Sequence, residues 1–206
     1  MPREPFRLCV DLNVWVSNYL AIAKNLRGTV SQYIVEAVQD GRSAVGPIQL
    51  VVSHAMLSRL LEVLTRKGAS LDSATRFISL IEAISRLGPS GDFPHVVLGF
   101  GAIPTRDARM PIYDPYDLAA LPPRSDLEDG RVIDTPIAGR ANALVTANIR
   151  DFVDRHDTVI SPDRVHMRRT AGHDVFIVRP GEMAAWLRTG KMPEPPAHED
   201  KAQISW

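Results

Sequence analysis

The chain has 206 residues, 45% of them hydrophobic, and its 24 Lys and Arg balance 24 Asp and Glu. That length supports a full core, and zero formal charge argues against a protein that grips nucleic acid by bulk charge, while leaving room for a local basic patch. The single cysteine, Cys9, excludes an intrachain disulfide and a thiolate zinc cluster and suits a reducing compartment. No run approaches the ~20 apolar residues of a membrane helix, and none follows the N-terminus as a secretory signal would, so a soluble cytoplasmic protein is expected.

Residues 7–10 read as a first strand that runs straight into Asp11. A carboxylate there is costly to bury unless it meets a cation, a hydrogen bond or water. A helical stretch is expected from about Ser17 to Asp40, broken at Arg27-Gly28 and ended by Asp40-Gly41. Ile48 to Val52 is a buried strand, followed by Ser53 as a helix N-cap. Met56, Leu57, Leu60, Leu61 and Leu64 then form an apolar stripe up to Gly68, and a further helix runs from Asp72 to Gly88-Pro89. Val96-Val97-Leu98 resembles a third strand.

The proline-rich segment from Pro104 to Ser125 has no period and reads as a long loop, a length that is usually functional or disordered. Asp129 to Ala141 reads as a helix flawed at Pro136. Ala143 to Thr146 and Val175 to Val178 are strands; Pro180 opens a last helix that Gly190 closes. Residues 1–190 therefore read as one domain and 191–206 as a polar tail, with no internal repeat.

Strands alternating with helices predict an α/β fold whose central parallel sheet is covered on both faces. All strands of such a sheet point their carboxyl ends to one edge, where ligands bind. Asp11 and Asn148 follow two of the strands, and Asp126, Glu128 and Asp129 open a helix that can face the same edge. Oxygen-bearing groups converging from distant segments suit a hard divalent cation.

Three segments together resemble the PIN-domain family, which includes many VapC-type bacterial toxin ribonucleases. Val10-Asp11-Leu12-Asn13-Val14-Trp15 resembles its opening strand and Asp-x-Asn signature. Leu50-Val51-Val52-Ser53 and the following helix resemble its second strand and helix. Asp126-Leu127-Glu128-Asp129, leading through Ala138-Gly139-Arg140-Ala141-Asn142 to Leu144-Val145-Thr146-Ala147-Asn148, resembles its acidic helix start, its turn and its Val-Thr-x-Asn/Asp strand end.

The resemblance implies a three-layer α/β/α PIN-like domain that hydrolyses RNA phosphodiester bonds with Mg²⁺ or Mn²⁺ held by carboxylates. Carried over, Asp11 is the first metal ligand and Asp129 the second, with Asp126 and Glu128 beside it. Asn13 steadies Asp11, Thr146 hydrogen-bonds near the strand end, and Asn148 stands at the position of a further acid. Implied partners are RNA, a separate antitoxin protein and a second copy of the chain. Tyr113 and Tyr116 of the 104–125 loop can stack on bases.

Two departures qualify the resemblance. The family carries a glutamate about six residues after the Ser53 position, and this chain has Arg59 there; Glu62, one turn later, can take the catalytic place only with the helix shifted or rotated, and Arg59 can instead form a salt bridge with an acid of the site. Asn148 is neutral where many members carry aspartate, and Asp151 can supply the missing charge. They motivate an alternative, a PIN-like module that binds RNA or protein without cleaving it; a weaker third is an α/β protein acting on a small phosphate ligand.

Plainer roles stand beside the functional ones. Asp11 and Asp151 suit turn or helix caps, and Asp126, Glu128 and Asp129 suit a helix macrodipole. Glu62 and Arg59 suit a solvated helix face. Arg150, Arg155, Arg164, Arg168 and Arg169 can cradle an RNA backbone, but a solvated loop balanced by Asp151, Asp154, Asp157 and Asp163 is slightly favoured. The scattered histidines lack metal-ligand spacing and read as surface residues. Gly99-Phe100-Gly101 is no dinucleotide motif.

Overall fold

The computed structural model describes residues 4–86, 96–97, 132–170 and 173–194. Strand β1 (Phe6–Val10) buries Leu8, Cys9 and Val10, as a strand covered on both faces must. It passes directly into helix α1 (Leu12–Ala23), with Asp11 in extended conformation as the N-cap. The helix thus begins well before Ser17, because the Asp11 carboxylate takes the Leu12 N–H and fixes the first turn. Trp15 locks the junction, its indole N–H donating to the Val10 carbonyl at 3.0 Å. The chain breaks where Asn25 and Gly28 take positive φ. Thr29 and Gln32 then open helix α2 (Val30–Gln39) with a reciprocal capping box.

A short strand β2 (Arg42–Ser43) precedes β3 (Gly46–Ser53). Ser53 caps α3 (His54–Arg66) by accepting the Met56 N–H, and Met56, Leu57, Leu60 and Leu64 face the core. Helix α4 (Leu71–Arg86) packs beside α3 and is tied to β3 by Gln49, whose amide donates to the Ser85 carbonyl at 3.1 Å. Strand β4 (Val96–Val97) pairs with the end of β3. Residues 132–138 form helix α5, which stops soon after Pro136, where Arg140 takes positive φ. Strand β5 (Ala143–Val145), helix α6 (Ile149–Phe152), strands β6 (Thr158–Ser161), β7 (Val165–Arg169) and β8 (Asp174–Val178), and helix α7 (Pro180–Thr189) follow.

The strands order as β2-β3-β1-β5-β8-β7-β6, with β4 also on β3. Strands β4, β3, β1, β5 and β8 are parallel, and β2, β6 and β7 run antiparallel to their neighbours. Helices on both faces complete a three-layer α/β/α architecture. From β1 the chain first winds outward to β3 and later returns to the other side at β5. The carboxyl ends of β1 and β5 therefore flank the point where strand order reverses, the crevice in which open sheets bind ligands.

The stretch from Arg155 to Arg169 is not a solvated loop. It forms the β6–β7 hairpin, with Val165 and Met167 buried. Arg168, only 5% exposed, reaches inward to Asp157 at 2.8 Å and to the Phe152 carbonyl. Among the histidines, His173 is half-buried rather than free on the surface, and burial lowers its pKa. The expected end of the third strand at Leu98, the loop 104–125 with Tyr113 and Tyr116, and the tail beyond Glu194 lie outside the described residues.

Candidate active site

Asp11 is 4% exposed, and both carboxylate oxygens are engaged. Oδ1 accepts the Leu12 N–H at 2.6 Å. Oδ2 accepts the Thr146 hydroxyl at 2.6 Å and the Asn13 side-chain amide. Thr146 directly follows β5 and is wholly buried; its own backbone N–H is held by the Val178 carbonyl of β8 at 2.9 Å. Its hydroxyl oxygen also accepts the Asn13 amide at 3.1 Å and the Asn148 N–H at 3.0 Å. Asn13 Oδ1 accepts the Ala147 N–H at 3.1 Å. Residues from the ends of β1 and β5 are thus knitted into one network across the crevice. The same carboxylate acts on Cys9: burial first, then Asp11, push the Cys9 thiol far above its ordinary range.

Asn148 is exposed at the N-cap position of α6, with no side-chain bond to the helix. Asp151 is exposed in the first turn of α6. Glu62 is 66% exposed on α3 and receives Arg59 at 2.8 Å, so these two residues pair with each other. Asp126, Glu128 and Asp129 lie outside the described residues.

A hard divalent cation needs several oxygen ligands. Asp11 offers a carboxylate held in place by the Leu12 N–H, the Asn13 side-chain amide and the Thr146 hydroxyl. The donor chemistry is all oxygen and fits such an ion at Asp11. Among the described residues, no three of His, Cys, Asp and Glu gather into a metal-binding group.

A family model described as PIN domain matches residues 7–150, from β1 through the start of α6. The chain belongs to the PIN-domain family. PIN domains are generally metal-dependent nucleases that act on nucleic acids. No curated protein and no solved structure matches the chain. No helix among the described residues is long and apolar enough to cross a membrane.

Two residues of this PIN domain escaped the sequence patterns. Asp134 lies within α5 at 5% exposure, its Oδ1 without a hydrogen-bond partner among the described residues, and burial raises its pKa to about 6. Its neighbour Thr135 donates to the Ser53 hydroxyl at 3.0 Å, which fastens α5 to the carboxyl end of β3. The only sequence signal was an aspartate inside an otherwise apolar helix, flanked by Val132, Ile133 and Ile137. Arg179, just past β8, donates from Nε to the Asp163 carbonyl at 2.6 Å and from Nη1 to the Ala147 carbonyl at 2.8 Å. A single arginine before Pro180 gave no sequence signal.

Proposed function

We propose that this chain is an endoribonuclease that uses Mg²⁺ or Mn²⁺ at the Asp11 edge, with 1–190 as the PIN-like domain. The observation that carries the proposal is Asp11 itself, a buried carboxylate at the strand-order reversal whose two oxygens are oriented by the Leu12 N–H, the Asn13 amide and the Thr146 hydroxyl. Asp11 and Asp129 would hold the cation, assisted by Asp126 and Asp151. When bound, the ion supplies a water of lowered pKa and neutralises charge that builds on the phosphate. Thr146 and Asn13 fix the Asp11 oxygens, Glu128 supports the acidic helix start, and Asn148 presents a neutral amide at the rim. A role as the toxin of a toxin–antitoxin pair, with the antitoxin a separate protein, is the cellular setting we favour.

The test is cleavage of single-stranded RNA by purified protein with Mn²⁺, with Mg²⁺, and with EDTA. Cleavage is expected only with metal, and Asp11→Asn and Asp129→Asn each abolish it while circular dichroism stays native. RNA left intact by the wild-type protein under every condition would sink the proposal.

One observation favours a second reading. Glu62 is committed to Arg59 on an exposed helix face, and Asn148 carries no charge, so among the described candidates only Asp11 and Asp151 are acids left for a metal. Under that reading the chain binds RNA or a protein without cutting it. Isothermal titration with Mn²⁺ separates the two: heat that disappears in Asp11→Asn supports the nuclease.

A further inference from the structure

The arginines of the C-terminal third do different jobs. Arg168 is buried with Asp157 and belongs to the core of the hairpin. Arg169 pairs in register with Asp174, at the amino edge of the sheet. Arg164 precedes β7 and Arg179 follows β8; the Arg179 N–H bonds the Arg164 carbonyl at 2.9 Å, so both stand at the carboxyl edge that carries Asp11. Arg150, in α6 after β5, bonds Asp163 at 3.4 Å beside them.

Arg179 differs from its neighbours in charge balance. Arg150 is paired with Asp163 and Arg164 with Glu182. Arg179 spends two donors on neutral carbonyls, and among the described residues it meets no carboxylate. A guanidinium carries five N–H donors, so three remain, in a fork whose plane is already fixed by two bonds. Its cationic charge also stands at the N-cap of α7, a helix whose Pro180 first turn has no side-chain cap and whose first-turn acid, Glu182, is engaged by Arg164. A cation at the positive pole of a helix is unfavourable, and an oxyanion there relieves both charges.

The fixed fork is coupled to the site. Ala147 donates its backbone N–H to Asn13 and its carbonyl accepts from Arg179, and Asn13 bonds Asp11. An anion held by Arg179 therefore lies on the flank of the Asp11 network formed by β5 and β8. We propose that Arg179, with Arg164 beside it, is a phosphate-binding rim that grips the backbone of single-stranded RNA next to Asp11. The proposal rests on the nuclease reading for its ligand, and extends it to residues beyond the segment that the family model matches.

Binding of fluorescently labelled oligo-uridine, measured by anisotropy in EDTA across a salt series, tests it on the full chain. Arg179→Gln weakens binding roughly tenfold, as loss of a charge-assisted bond does. It also flattens the slope of log affinity against log salt by about 0.7, the value for one phosphate contact on a single strand. Arg179→Lys restores the slope and only part of the affinity, because it keeps the charge and loses the fork. Glu182→Gln frees Arg164 and tightens binding with a steeper slope, a gain that a folding defect cannot imitate. Arg66→Gln, on the exposed end of α3, changes nothing. Wild-type affinity and slope in Arg179→Gln, or no tightening in Glu182→Gln, overturn the proposal. If the wild-type protein still cleaves RNA in that case, the nuclease reading survives alone; if it neither binds nor cleaves RNA, both fall together.

Discussion

The Thr146 hydroxyl donates to Asp11 Oδ2 at 2.6 Å across 135 residues of sequence. The same oxygen accepts from Asn13 and from the Asn148 N–H, so one buried hydroxyl serves three partners. Thr146→Val keeps the shape and removes all three bonds. Loss of about 1–3 kcal/mol of unfolding free energy is expected for polar groups left buried without partners. Thr146→Ser retains the hydroxyl and most of that stability. Urea denaturation monitored by tryptophan fluorescence measures both, and a valine variant as stable as wild type would show that the network holds nothing.

Arg168 and Asp157 form an ion pair with side chains 6% and 3% exposed. Removing one partner strands a charge in the interior. Arg168→Met is expected to cost roughly 3–5 kcal/mol, and the double variant Arg168→Met/Asp157→Leu to recover much of it, since apolar replacements of buried pairs are often neutral. The comparison of single and double variants in guanidinium melts decides this. Equal losses in the two would assign the cost to packing rather than charge.

Asp134 predicts a pH effect. Burial raises its pKa from 3.8 to about 6. Between those values the unfolded chain releases the proton first, so stability falls as pH rises from about 4 to about 6 and is level above that. A shift of that size corresponds to a loss on the order of 2–3 kcal/mol. Asp134→Asn cannot ionise. It should match wild type near pH 4, exceed it at pH 8, and flatten the dependence of the melting midpoint on pH. Parallel curves for the two proteins would refute the buried-carboxylate origin.

Gly190 ends α7 with φ +70°, and a Cβ there would lie 2.8 Å from the Ala44 carbonyl oxygen. Gly190→Ala meets both a left-handed backbone and a contact with the main chain between β2 and β3. The expected loss is about 1–3 kcal/mol, read as a lower melting temperature. Gly28→Ala, with positive φ but open space around it, should lose less.

Apolar runs made the central strands legible, because a sheet covered on both faces leaves no room for polar alternation. The Asp11 site was legible in part for the same reason: a carboxylate directly after such a run has to be held by something. Helix α1 was placed too late, since its start is set by the Asp11 side chain and not by periodicity. The β6–β7 hairpin was hidden by polar residues that its own pairing satisfies, with Arg168 buried only because Asp157 and the Phe152 carbonyl meet it. Arg179 was invisible because its partners are main-chain carbonyls, which no side-chain pattern announces.

Thr146 and Ala147 are each braced from the far end of the chain: the Val178 carbonyl holds the Thr146 N–H, and Arg179 holds the Ala147 carbonyl. A growing polypeptide that has reached Arg150 already contains Asp11, Asn13, Thr146 and Asn148, yet neither brace. The network is completed only after β8 has been synthesised and docked beside β5. The Asp11 network therefore reaches its full set of bonds only when β5 and β8 stand side by side.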